Sequence, residues 1–488
     1  MNRTYGTGWN DWEEVEPTII CTSRKDFIAF LDSCEYIEWY CQKYFEYIAS
    51  IYRASGIDVP FYVNSTGGPF PHDPARLKGI TCMTDLYYLG ALPSMLPFNA
   101  KLLKATQPVT ASAEFRCGTF GQLMTNTVYA NQAMQWMAHG FHGVNYFMIV
   151  ERHRWPNCPI DAVGRPGTPG RYATFKKIIG AYNRTRYPRF ANGMVADVNL
   201  FWWRHHAFFI KPDPTEPYSS GSLLDPKTNF NTAFKALLEG NVGFDFYYPR
   251  APRNVKHPCM IYAGHDYLDP GIARSLLDFA LDGGTLVLYY NHPVKTVDGD
   301  PVDTFNRYVA PTRGVHLHGY HASIQVGECD RDGFPEAFST YTSLLVDLDI
   351  DSNPIEGSVP YMHKHMVVGQ SVPAGRGCIV QVGWDLTPTS IHGFLKSLGF
   401  KAPLRVNQDG VCCTLLQDKD EYLVGIVEQE GKARQNLRIN FDTDKILLDD
   451  FDLVESVFQG RKIIKKGNGI SVTIPAGEGD LVWIHGRD

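Results

Sequence analysis

The chain has 488 residues, enough for roughly three domains at ~150 residues each. Hydrophobic residues make up 44% and charged residues 20%, the balance of ordinary globular protein. The net charge of −6 lacks the basic footprint that nucleic acid or an anionic membrane demands, so neither is expected as a partner.

Aromatics reach 13%, with 9 Trp and 26 Tyr, which suits a large core as well as a site that stacks rings on pyranose faces. The 11 cysteines form no CxxC pair, so neither a zinc site nor a disulfide framework is expected. No HExxH, P-loop, G-x-S-x-G or helix-opening GxGxxG occurs, and no metal or other cofactor is assigned. The opening MNRTYGTGWNDWEEVEP is polar and acidic, unlike a signal peptide. No apolar run approaches the ~20 residues of a membrane span, and a cytoplasmic location is expected.

Residues 1–22 read as a loop carrying Trp9 and Trp12. Ser23 is placed to cap a helix in which Phe27, Phe30, Leu31, Cys34, Ile37, Cys41, Phe45, Ile48 and Ile51 recur at helical spacing, with Gly56 ending it. Strands are predicted over 59–64 and 79–88, a helix over 93–106, a strand over 108–113, a helix over 122–139, a strand over 143–150 and a helix over 171–185. This rhythm is that of a (β/α) barrel with four countable strands, over residues 1–192.

Short apolar strands at 194–201, 242–247, 259–262, 285–290 and 378–382 alternate with helices at 231–240, 270–282 and 389–398. They predict a flavodoxin-like α/β domain with a parallel sheet over 193–402. From 403 to 488 helical periodicity disappears. Strands at 411–416, 422–427, 436–440, 445–448, 453–457, 463–465, 470–474 and 481–484 predict a small all-β sandwich.

The chemistry concentrates at the ends of the first four strands, where barrel enzymes keep their sites. Asn64, then Asp85 with Tyr87, then Glu114, then Glu151 with Trp155 end successive strands. Glu114 lies among small residues in Ala-Ser-Ala-Glu-Phe-Arg-Cys-Gly, with room for a ligand; the plainer reading pairs it with Arg116. Glu151 fits a second carboxylate, a contact to a sugar hydroxyl, or a salt bridge to Arg152 or Arg154. Trp155 fits a stacking platform or a loop cap. His139, His142 and His153 have no metal-ligand spacing, and Cys117 has no evident base beside it.

With these residues in place, the chain resembles clan A β-galactosidases of glycoside hydrolase families 35 and 42. YGTGWNDWEEVEP looks like a segment that family 42 carries after its fourth barrel strand. Glu114-Phe115-x-x-Gly118 is similar to the family 35 nucleophile motif, and MAHGFHGVNYFMIVERHRW looks like the last barrel strand of either family. DPGIARSLLDFALDGGTLVLYYNHP is similar to the amidotransferase-like middle domain of family 42, and the β-rich tail to the C-terminal sandwich.

The resemblance implies the C-terminal half of a TIM (β/α)8 barrel, an amidotransferase-like α/β domain and a β-sandwich. It implies a retaining β-galactosidase-like enzyme with Glu114 as nucleophile and Asn64, Asp85, Tyr87, Glu151 and Trp155 around the sugar. It also implies a β-galactoside or related β-glycoside as partner, and oligomerisation through the middle domain. The likeness begins downstream of the family's Asn-Glu pair, so the acid/base Glu is expected to be missing: either the chain is N-terminally incomplete, or it is a half-barrel whose exposed strand edge pairs with another chain. Glu13, Glu14 and Glu16 do not match that Glu. The alternative is a non-catalytic carbohydrate-binding or assembly protein that retains the scaffold. An amidotransferase activity needs a Cys elbow where this chain has Ala263-Gly264-His265-Asp266.

Overall fold

The computed structural model describes residues 14, 24–66, 73–86, 94–118, 124–153, 155–208, 226–251, 257–327, 336–352 and 354–486. Its first unit runs α1 (Arg24–Ala54), β1 (Phe61–Thr66), β2 (Ile80–Leu86), α2 (Met95–Thr106), β3 (Ala111–Arg116), α3 (Asn126–Ala138), β4 (Gly143–Phe147) and α4 (Arg171–Thr185). The four strands form one sheet in the order β1-β2-β3-β4, every pair parallel. Parallel neighbours need a crossover, and the intervening helices supply two of the three. Gly56, at φ +82, takes the left-handed conformation that stops α1. Thr125 caps α3 by accepting from the Val128 N–H at 3.3 Å. Ser23, Trp9, Trp12, Glu13, Glu16, Tyr87 and Arg154 lie outside the described residues.

The second unit contains β5 (Val198–Phe201), α5 (Arg204–Phe208), α6 (Pro226–Glu239), β6 (Phe244–Tyr247), β7 (Cys259–Tyr262), α7 (Pro270–Leu281) and β8 (Thr285–Tyr289). It continues through β9 (Thr312–Val326), β10 (Glu336–Leu348), β11 (Val359–His363), β12 (Met366–Ala374), β13 (Gly377–Val382) and α8 (Ile391–Ser397). Its sheet has nine strands in the order β10-β9-β11-β12-β13-β8-β7-β5-β6. The parallel part, β6-β5-β7-β8-β13, is the doubly wound flavodoxin-like order. The expected purely parallel sheet is corrected by four antiparallel strands between 312 and 374. These strands carry no apolar run; β10, EAFSTYTSLLVDL, alternates between buried and solvent-facing residues over its first half.

The third unit is β14 (Leu404–Val406), β15 (Val411–Asp418), β16 (Glu421–Glu428), β17 (Arg434–Phe441), β18 (Leu453–Ser456), β19 (Arg461–Lys462), β20 (Gly469–Ile474) and β21 (Gly479–His485). Sheets β14-β17-β20 and β15-β16-β21-β18-β19 enclose one apolar core that includes Leu404, Ile439, Val424 and Ile484. Two expected strands are corrected here. Residues 445–448 lead into a 3-10 turn, Leu448–Asp450, and residues 463–465 follow β19 instead of forming a strand.

One hydrophobic cluster joins all three units, containing Leu102 and Met134, Leu200, and Leu423 and Leu481. Helix α3 lies on β16 and β21, where a Cβ at Gly425 would sit 2.4 Å from the Ala138 Cβ and one at Gly479 2.7 Å from the Met134 Cβ. Asn131 Nδ2 donates to the Glu428 carbonyl at 2.8 Å, and Thr414 Oγ1 to that of Ala138 at 2.7 Å. Helix α2 is clamped to β6: Lys104 Nζ meets Asp245 Oδ1 at 2.9 Å and Oδ2 at 3.0 Å, and Lys101 Nζ donates to the Phe244 carbonyl. Burial pushes Asp245 up, but the charges of Lys104 and Lys101 and the His257 bond outweigh it and hold the carboxyl well below the carboxylate range.

Asp245→Asn leaves Lys104 buried without its counter-charge. We expect a loss of about 3–5 kcal/mol in urea unfolding near neutral pH. A carboxyl with a depressed folded pKa stabilises above its unfolded value and loses that contribution as pH falls, so the deficit should shrink below about pH 4. A neutral-pH loss below ~1 kcal/mol would overturn the clamp.

Candidate active site

Because β1–β4 are parallel, their carboxyl ends share one edge of the sheet. Thr66 is level with Asp85, Asp85 with Glu114, and Arg116 with Phe147. The register shifts at Thr84/Asp85 and again between Ser112 and Phe115, so both central strands are irregular where they carry their carboxylates. Ser112 Oγ donates to the Thr84 carbonyl at 2.8 Å and Asn145 Nδ2 to that of Ala113 at 2.9 Å, stitching the strands together beneath this edge. Glu114 lies inside β3, two residues before its end, and not just beyond a strand ending at 113.

Three of the expected residues meet. Asn64 Nδ2 donates to Glu114 Oε1 at 3.1 Å. Asp85 is 4% exposed, its Oδ1 accepts no hydrogen bond, and Glu114 is half-buried beside it. Burial first, then the charge of Glu114, pushes the Asp85 carboxyl up to about 6, against a lowering bond from Asn64. The strand ends therefore carry two carboxyl groups in unlike environments, with Asn64 tied to the half-buried one.

Glu151 and Trp155 stand apart from that trio, on the loop after β4. Strand β4 stops at Phe147, four residues before Glu151, rather than running to 150. The Phe147–Met148 peptide is cis. Glu151 Oε1 accepts from the Asn157 N–H at 3.3 Å, and its own N–H donates to the Ile160 carbonyl at 2.8 Å. The half-buried Trp155 ring stands edge-on to Phe147 at 5.1 Å and 85°. Arg152 and Trp155 exchange backbone hydrogen bonds of 3.3 and 2.8 Å, which closes the loop tightly.

This loop rests on the segment just past Glu114. A Cβ at Gly118 would lie 2.5 Å from Cys158 Sγ, so glycine permits the approach. Arg171, the first residue of α4, is buried and reaches across: it donates to the carbonyls of Asn157 and Met124, bonds Asn126 Oδ1 at 3.2 Å, and stacks 4.7 Å from the Tyr129 ring. Tyr129 OH donates to the Gly118 carbonyl at 3.2 Å. Arg171 and Tyr129 thus fix the loop bearing Trp155, and their sequence context carries no signal of it.

The remaining residues of note fall elsewhere. His142 Nδ1 accepts from the Thr110 N–H at 3.1 Å, at the amino ends of β3 and β4, opposite the carboxylates. His139 is deep in the core, and burial drives its pKa well down. Burial pushes the Cys158 thiol up to about 11 and raises Cys117 further, which suits inert packing residues. Among the described residues no group of three or more His, Cys, Asp or Glu could hold a metal ion. No described helix is long and apolar enough to cross a membrane.

No protein-family model matches the chain. A β-1,2-glucosyltransferase of Ignavibacterium album is 20% identical over 91% of this chain, which spans 66% of that protein, just short of two thirds of its length. A family 42 β-galactosidase of G. stearothermophilus matches 99% of this chain with a TM-score of 0.71 and 13% identity, over 72% of its own length. The β-galactosidase of Bacillus circulans sp. alkalophilus matches 99% with a TM-score of 0.70 and 15% identity, over 74% of its length. A family 42 exo-carrageenase of Bacteroides ovatus matches at a TM-score of 0.61 and 11% identity. The chain shares the fold of these glycoside hydrolases, an α/β scaffold with mixed sheets and a β-rich C-terminal part.

Asp85 provides a direct check of the site's electrostatics. Its folded pKa, about 6, lies above the unfolded value, so it destabilises the fold increasingly as pH rises from about 4 to 6, and the full penalty persists above. Asp85→Asn should therefore raise stability by roughly 1–3 kcal/mol at neutral pH, with the gain vanishing near pH 4. Denaturant unfolding at the two pH values measures it. An equal effect at both would remove the raised carboxyl from the argument.

Proposed function

We propose that this chain carries the nucleophile side of a retaining β-glycosidase site, with a β-galactoside or related β-glycoside as substrate. The observation that carries this reading is the contact of Asn64, Asp85 and Glu114 at one edge of a parallel sheet in a glycosidase-type scaffold. In this reading residues 1–192 form part of a (β/α) barrel, 193–402 an amidotransferase-like unit and 403–488 a sandwich. A cytoplasmic location and self-association through the second unit belong to the same proposal.

The Glu114 carboxylate attacks the anomeric carbon as the glycosidic C–O bond breaks, giving a covalent glycosyl ester. The departing oxygen takes its proton from a general acid. Water then attacks the anomeric carbon, loses a proton to the conjugate base of that acid, and frees Glu114. Asn64 orients Glu114 by its amide N–H. Burial and the neighbouring Glu114 charge push the Asp85 carboxyl up to about 6, so it carries less charge beside Glu114 than an ordinary aspartate would near that pH. Glu151 and Trp155 supply one wall for the sugar, the indole stacking on a pyranose face; Tyr87 is a further proposed sugar contact.

Two further readings have a basis. The likeness to a glucosyltransferase favours a sugar hydroxyl, in place of water, as acceptor of the same glycosyl ester. The scaffold also fits a protein that binds carbohydrate without turnover.

The test uses 2,4-dinitrophenyl β-galactoside, whose leaving group departs without protonation and so reads the nucleophile alone. The expected result is release of dinitrophenolate and a glycosyl ester on Glu114 by mass spectrometry. Glu114→Gln should lower kcat/KM by roughly 10³–10⁶-fold. Release undiminished by that change would sink the assignment. Galactose binding by calorimetry with no ester and no release would favour the non-catalytic protein, and a disaccharide product with added sugar would favour transfer.

A further inference from the structure

Helix α1 has two apolar faces. One, with Leu31, Glu38, Gln42 and Ala49, is buried. At about 3.6 residues per turn, Tyr36, Tyr40, Tyr44 and Tyr47 fall in one row on the opposite face, each more than half exposed. Ile37 and Ile51 lie in the same stripe and Trp39 beside it, all exposed. Tyr36 stacks on Tyr40 and on Trp39 at ring distances of 6.4 and 5.9 Å, with interplanar angles of 30° and 29°. These rings make a platform of similarly inclined faces, not a set of pockets. Exposed apolar surface of this extent marks a binding face.

The composition of the row selects its ligand. It holds no charge, and Lys43 beside it is paired with Glu46 at 2.8 Å. Such a stripe gives no attraction to a phosphate-bearing or strongly charged partner and suits a neutral one. Its tyrosines each combine an apolar ring with a hydroxyl at the rim. Packing the row on an apolar protein face, or on the same row of a second copy, strips water from those hydroxyls and is costly for each left unbonded. A carbohydrate chain matches both halves: C–H faces meet the rings, and its hydroxyls meet the tyrosine rims. The spacing agrees as well. Tyr36, Tyr40 and Tyr44 succeed one another every ~6 Å along the axis, close to the ring repeat of an extended β-linked chain. From Tyr36 to Tyr47 is ~16 Å, room for about three sugar rings.

We propose that the tyrosine row of α1 is an accessory binding site for a neutral β-linked polysaccharide, separate from the site at Glu114. Its place in the fold links the two. Tyr36 follows Glu35, which meets His205 and Arg250 beyond the carboxyl ends of β5 and β6. At the other end of the helix Tyr52 stacks on Phe61 of β1 at 5.8 Å, and β1 carries Asn64. A long chain held on α1 raises the effective concentration of its own ends at the candidate active site. The inference rests on the glycosidase reading for the class of sugar, and it deepens that reading: the substrate is the end of a polysaccharide and not a free disaccharide.

The experiment is native electrophoresis of the 488-residue chain in gels cast with soluble β-1,4-galactan, with α-linked dextran as the control. The expected result is retardation by galactan alone, retained in Glu114→Gln and weakened about tenfold in Tyr40→Ala/Tyr44→Ala. Tyr40→Trp/Tyr44→Trp keeps an aromatic face at each position and should retain the retardation, which a merely structural role would not predict. Galactan should also shield Tyr36, Tyr40, Tyr44 and Tyr47 of the unaltered chain from iodination, a readout that needs no substitution. Equal migration in galactan and dextran would overturn the proposal. So would retardation undiminished by the alanine pair, or tyrosines iodinated equally with and without galactan. A two-copy species in native mass spectrometry that the alanine pair converts to 54.9 kDa would overturn it in favour of self-association. Retardation with no ester on Glu114 would sink the glycosidase reading and keep this one; an ester with no retardation would do the reverse.

Discussion

A buried ion pair between α2 and β6 sets the arrangement of the molecule. Lys104 and Asp245 have left water on both sides, and Lys101 stays within reach although burial pulls its ammonium down to about 8. Its Nζ also lies 4.2 Å from the Phe244 ring. A charge so placed has few alternatives, because withdrawing either partner strands the other in a medium of low dielectric. The pair therefore fixes which face of α2 meets the second sheet. Helix α3, one strand further along, is held against the third unit by close approaches at two glycines. Between them the two helices lock β2 and β3 in place, and those strands carry Asp85 and Glu114.

The electrostatics at that edge follow from unequal burial more than from distance. Asp85 and Glu114 occupy paired positions on neighbouring strands, yet only Asp85 is fully enclosed. Two like charges side by side are costly, and burial together with the Glu114 charge raises the enclosed carboxyl. Asn64, on an outer strand, donates to Glu114. A pair of unlike carboxyls is the usual way for one fold to hold an acid form and a base form at the same pH.

Much of this was legible in the residues. Helix α1 was visible from its apolar spacing and Gly56, α7 from Asp269-Pro270, whose carboxylate accepts from the N–H groups of Gly271 and Ile272 at 2.9 and 3.1 Å. The carboxylates were visible as polar interruptions at the ends of apolar runs. Strands β9–β12 were not, because a sheet with one wet face carries Thr, Ser, His and Gly at alternate positions and reads as loop. Ile446 and Leu448 misled in the opposite sense: they are buried core residues placed by turns, not by a strand. Arg171 was illegible for another reason. Its partners are 14, 45 and 47 residues away, and no local pattern encodes such a contact.

Helix α1 also engages the second sheet. Glu35 accepts from His205 and, at 2.6 Å, from Arg250, while Glu38 pairs with the buried Arg204. These partners follow the carboxyl ends of β5 and β6. The His205 bond, with Arg250 beside it, holds the Glu35 carboxyl down to about 2. Helix α1 leads through Gly56 into β1, and β1 carries the amide that steadies Glu114. The edge at which doubly wound sheets ordinarily receive small ligands is here joined through α1 to the strand that contacts Glu114. One helix thus carries both the ion pairs to the second sheet and the connection to the strand whose asparagine holds Glu114, so the position of that amide is tied to residues of two units.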